Sequence, residues 1–167
     1  MTRFYHQTSP EGAARIQAEG FKLNGGAGKM LGDPTPIYGI YLKAEAKIIR
    51  PDILGAAQVK VTATINNAAT FADKDEFEEW IYEHMDEAEW GGFTSPLSDF
   101  STAKARGKHE EITARFAHRI ADLLRANGHD AVTFADEIPD ADGFEGSGEF
   151  IHTTVILDPK VIRVIRV

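Results

Sequence analysis

His6, Gln7 and Thr8 follow one another directly before the pair Ser9-Pro10, and Gly39 stands two residues before Tyr41 in the run Tyr38-Gly39-Ile40-Tyr41-Leu42. An imidazole beside a hydroxyl offers hydrogen-bond donors and acceptors to one ligand. A glycine leaves main-chain groups open to close approach, and a tyrosine ring offers a flat face for stacking. Singly, each residue has an ordinary reading: His6 as a strand-end histidine bonded to backbone, Tyr41 as a core aromatic with its hydroxyl at the surface. Together they mark a candidate site for a small molecule.

Other motifs carry less chemistry. Gly25-Gly26-Ala27-Gly28-Lys29 invites a phosphate-loop reading, but it lacks the full spacing, and Met30 follows the lysine where Ser or Thr is needed. It reads as a loop covering a ligand or as a plain connector. His109, His118, His129 and His152 lack metal-ligand spacing, and with no cysteine no zinc site is expected. Asp140, Asp142 and Glu145 fall short of the calcium-loop pattern, so no metal is expected. The missing cysteines also exclude disulfides and thiol nucleophiles, which suits the cytoplasm, including that of a host or target cell.

The chain has 167 residues and a formal net charge of -8. That balance disfavours nucleic acid, whose phosphates need clustered Lys and Arg. Residues 73–89 hold nine acids and one lysine, Lys74, and read as the solvated face of a helix or else a partner-docking surface. No run of about 18 apolar residues predicts a membrane span, and no secretory leader is expected.

These residues must be held by a fold, and 167 residues suit a single domain over 1–167. Strands are expected at 2–5, 37–42, 58–65, 131–135, 149–157 and 161–167. In the third, Val59, Val61, Ala63 and Ile65 alternate with polar residues. Helices are expected at 10–19, capped by Ser9 and stopped by Gly20, at 73–90, and at 109–126 with Gly128 as its stop. Residues 91–105 read as a polar loop. Strands and helices mix without a regular alternation, which predicts an α+β fold.

In this order the motifs resemble the ADP-ribosyltransferases, in the branch of diphtheria toxin and the poly-ADP-ribose polymerases. The matching segments are Tyr5-His6-Gln7-Thr8 with Glu19-Gly20-Phe21, Gly39-Ile40-Tyr41-Leu42, and a tail running from Asp130-Ala131-Val132 to Val155-Ile156-Leu157-Asp158-Pro159. Compact bacterial and phage members close in this way. The resemblance implies a split β-sheet core with flanking helices and an NAD substrate. Tyr41 would stack on nicotinamide. Gly39 or Gln7 would meet its carboxamide, and His6 with Thr8 the adenosine-side ribose. His6 and Tyr41 would face one cleft.

The third family residue is a carboxylate, and the equivalent position here holds Thr153 or Thr154. Asp136, Glu137 or Glu149 are the candidates to replace it, with no catalytic acid as the remaining reading. The implied activity is mono-ADP-ribosyl transfer to a macromolecule, a protein first, by a toxin, effector or phage-encoded inhibitor with an antitoxin or immunity protein as partner. An NAD glycohydrolase and a non-catalytic binding module are the alternatives.

Overall fold

The computed structural model describes residues 1–23, 35–139 and 146–166. The Gly25-Gly26-Ala27-Gly28-Lys29 stretch and the acidic group Asp140, Asp142 and Glu145 lie outside them. Among the described residues seven strands make one mixed sheet: β1 (Thr2–Thr8), β2 (Ile40–Lys43), β3 (Ala57–Ala63), β4 (Ala68–Asp73), β5 (Ala131–Pro139), β6 (Gly146–Ile156) and β7 (Ile162–Val164). Their order is β4-β5-β6-β2-β1-β3-β7. Neighbours are antiparallel except β4 and β5. Five helices among the described residues accompany them: α1 (Pro10–Glu19), α2 (Pro51–Leu54), α3 (Lys74–His84), α4 (Glu87–Ser98) and α5 (Ala103–Ala126). The fold is α+β, as expected.

The sheet is unevenly joined. β1 matches β3 along its whole length, from Thr2↔Ala63 to Thr8↔Ala57, and β2 matches β6 from Ile40↔Ile156 to Lys43↔Thr153. Between β1 and β2 the register is a single pair, Tyr5↔Lys43. Two ladders, β4-β5-β6-β2 and β1-β3-β7, thus meet at one bridge.

Each side of the sheet has its own core. Phe77 and Ile81 of α3, with Phe116, Ile120 and Leu124 of α5, pack on Val132, Phe134 and Val155. Phe4, Leu42, Val59, Val61 and Ile156 form the second cluster, with Ala13 and Ile16 of α1 against it. The pleat explains the division, because successive residues such as Val155 and Ile156 point to opposite faces. Each fully buried large side chain contributes about 1.5–3 kcal/mol.

Several boundaries differ from expectation. β1 continues through His6, Gln7 and Thr8, because β3 offers a pairing partner at each. The helix expected over 73–90 breaks at Met85, whose buried side chain goes with an extended backbone, and Asp86 then caps α4 by accepting from Ala88 N. α4 occupies most of the expected polar loop despite Gly91, Gly92 and Pro96. Trp90, Phe93 and Leu97 recur at helical spacing and pack on the first core. His109, 5% exposed, ties the α4–α5 turn by donating from Nε2 toward Pro96 O and Asp99 O, at 3.0 and 2.8 Å. β4 was not expected; the Asp130 carboxylate starts it beside β5 by accepting from Asn66 N and Asn67 N at 2.8 and 3.0 Å. The strand expected over 161–167 is shortened to β7, which follows a 3₁₀ turn over Pro159–Val161.

Candidate functional site

The bridge between the two ladders is where the motif residues gather. His6 lies one residue past Tyr5 on β1, and its Nδ1 is 2.9 Å from the Tyr41 carbonyl. A carbonyl only accepts, so the proton belongs on Nδ1, which leaves Nε2 the acceptor in the neutral ring. The imidazole thereby spans the gap where the β1–β2 ladder stops. Its ring meets Phe21 edge-on at 5.0 Å.

Tyr41 is half-buried against the first core, and its hydroxyl accepts from Ile37 N at 3.0 Å. His6 instead lies against Phe21, which packs on the second cluster. The expected arrangement, with both side chains facing one cleft, is therefore corrected. The two rings are held on different cores, and His6 reaches the main chain of Tyr41. Alternation along paired strands is the cause, because neighbouring positions in register leave opposite faces. Gly39 has a steric role as well: a Cβ there would lie 2.7 Å from Ile156 O and from Val155 Cγ1.

Gln7 and Thr8 are both taken up within the protein. The Gln7 amide donates to Ile49 O at 2.6 Å and Gly55 O at 2.7 Å, and accepts from Ile49 N at 3.0 Å and Lys43 Nζ at 2.8 Å. Two donors and two acceptor sites are the whole capacity of an amide side chain. Gln7 thus fastens the crossover after β2 to β1 and has no bond to spare for a carboxamide. Thr8 is 5% exposed beneath Gly12 and Gly55. A Cβ at Gly55 would fall 2.3 Å from the Thr8 carbonyl, and its φ of 92° also calls for glycine.

The three candidate acids do not converge on Tyr41. Asp136 and Glu137 lie within β5, opposite Ile151 and Phe150, and Glu149 lies on β6. Tyr41 is opposite Val155. At about 3.3 Å per residue, Asp136, Glu137 and Glu149 sit roughly 13, 17 and 20 Å along the strand direction from that level. Glu137 accepts from Gly148 N at 2.9 Å, and Glu149 pairs with Lys47 on the surface. Thr153 and Thr154 are buried, and Thr154 Oγ1 donates to Thr133 Oγ1 at 3.2 Å.

Comparison with protein-family models, with curated proteins and with solved structures finds no match. What this region can do is therefore argued from its geometry.

Two charged residues that sequence reasoning passed over stand at the end of β2. Lys43 is 7% exposed; its amine donates to Gln7 Oε1 and to Lys47 O. Burial pushes the amine below the ordinary lysine range, and the nearby Glu45 partly offsets this. Glu45 accepts from His152 N at 3.1 Å and lies 2.7 Å from His152 Nδ1. Burial works to raise its carboxyl, and the His152 bonds outweigh it, so Glu45 is held below the usual carboxylate value. The one sequence signal for the pair was the charge alternation Lys43-Ala44-Glu45-Ala46-Lys47.

Two surface cavities lie away from these residues. One is at the α4–α5 corner by Asp99, Lys104 and Lys108; the other is along α3 by Glu79, Tyr82 and Glu83. Among the described residues no group of three His, Asp or Glu is placed to hold a metal ion. No helix among them is long and apolar enough to cross a membrane.

Proposed function

We propose that this protein cleaves the nicotinamide–ribose bond of NAD and transfers ADP-ribose to a macromolecular acceptor. The observation that carries the reading is the His6 Nδ1 contact with the Tyr41 carbonyl at the single-pair bridge between β1 and β2. It fixes the orientation of the imidazole at that junction. The strands bearing the histidine, the tyrosine and the third motif, β1, β2 and β6, are also neighbours in the sheet. In this reading His6 is the group at the junction that meets the ligand, and Tyr41 serves it through the main-chain carbonyl that holds the imidazole. His6 meets a ribose hydroxyl. A protein acceptor accords with the net charge of -8, which repels phosphate backbones.

The test is nicotinamide release from NAD, followed with ADP-ribose labelling of a cell lysate. His6→Ala lowers turnover by roughly 10²-fold or more if the imidazole orients the sugar. Intact NAD and no labelled macromolecule, from a folded protein, would rule the reading out. Free ADP-ribose without label would indicate a glycohydrolase. A non-catalytic binding module is favoured by the full use of Gln7 and by the buried threonines of β6. A tight protein complex with no NAD affinity would select it.

A further inference from the structure

Breaking an N-glycosidic bond builds positive charge on the sugar, and a carboxylate nearby stabilises that charge. Register ranks Glu45 against the three earlier candidate acids. Lys43 pairs with Thr153, and Ala44 N donates to His152 O at 3.0 Å, so the chain stays beside β6 for one residue past β2. Glu45 comes next and folds its side chain back onto β6 at His152, bonding both the main-chain N–H and the ring. That level is three residues from Val155, roughly 10 Å from the level of Tyr41, nearer than Asp136, Glu137 or Glu149.

We propose that Glu45, delivered from the segment after β2, is the carboxylate that faces the nicotinamide ribose. The assignment rests on the ADP-ribosyl transfer reading above. Its side chain is 38% exposed, which leaves a face for a ligand, and His152 fixes its position. The bonds from His152 also keep it ionised at neutral pH, the form that charge stabilisation needs. In the step, the C1′–N1 bond breaks and its electron pair stays with nicotinamide, which leaves neutral. The acceptor's lone pair forms the new bond to C1′. The acceptor's proton passes to the Glu45 carboxylate and then to water.

The experiment compares the whole protein with Glu45→Gln, Glu45→Ala and Glu149→Gln, measuring nicotinamide release and NAD affinity by calorimetry. Glu45→Gln is expected to lose roughly 10²-fold in turnover while affinity changes by less than about threefold. Glu149→Gln is expected to keep wild-type turnover. Added formate is expected to restore turnover to Glu45→Ala, which a residue serving only to clasp β6 would not permit. Wild-type turnover in Glu45→Gln overturns the assignment and leaves the transfer reading standing. A loss in Glu45→Ala that formate does not relieve makes Glu45 a structural clasp and also overturns it. Wild-type protein that neither binds nor cleaves NAD removes the transfer reading and the assignment together.

Discussion

At the level of single residues, hydrogen-bond capacity sorts the candidates better than residue type does. Gln7 stands beside His6 in the sequence and looks equally suited to a ligand, yet all four of its amide sites are used within the protein. Glu45 has no motif around it, yet its carboxylate is placed and charged by His152. Its depressed folded pKa makes a stability prediction. A carboxyl whose pKa is lower folded than unfolded stabilises the protein above the unfolded value, and that contribution disappears as pH falls through the folded value. Denaturant midpoints of wild type and Glu45→Gln should therefore differ most at neutral pH. They should draw together as the solution is acidified through and below the ordinary carboxylate range. A difference constant with pH would show that the pair with His152 does not discriminate between the charged and neutral carboxyl.

Among elements, the segment joining β2 to β3 matters most, since it carries Glu45, Lys47, Ile49 and α2 across the end of β1. Its anchor is Gln7, and its far end is pinned where Gly55 meets Thr8. Gln7→Ala leaves Ile49 N, two carbonyls and one bond of the buried Lys43 amine without their partner. With about 1–3 kcal/mol for a buried polar group left unsatisfied, a loss of about 2 kcal/mol or more is expected by denaturant titration. Limited proteolysis should cut first between Ala44 and Gly55 in the variant. Wild-type resistance there would mean that α2 holds the segment without Gln7.

For the molecule as a whole, one sheet serves two cores, and the helices divide between them. Phe116 of α5 is fully buried and meets Phe93 of α4 at 4.8 Å between ring centroids and Trp90 at 5.8 Å. It joins α4 and α5 to the ladder that contains β5 and β6. Phe116→Ala should lower unfolding free energy by about 3–5 kcal/mol. By contrast, the β1–β2 junction, with its one registered pair, has little main-chain bonding to resist opening. Hydrogen exchange is expected to be faster at β2 than at the matching positions of β3. Equal protection would argue against the junction as the place where the two ladders part.

What could be read along the chain was whatever neighbours in sequence control. α1 begins and ends as expected because Ser9, Pro10 and Gly20 act within a turn of the residues they cap. β3 was legible from the alternation that buries Val59, Val61 and Ala63. His6 and Tyr41 were singled out by type and spacing, but which face each would take depended on pairing. β4 has little alternation of its own and exists because Asp130 and β5 receive it. α4 overrides two glycines and a proline because a core waits for Trp90, Phe93 and Leu97. Glu45 and His152 are 107 positions apart, and Gln7 and Ile49 are 42 apart. Contacts over such separations leave no periodicity in the chain, since they form only once strands from both ends lie side by side.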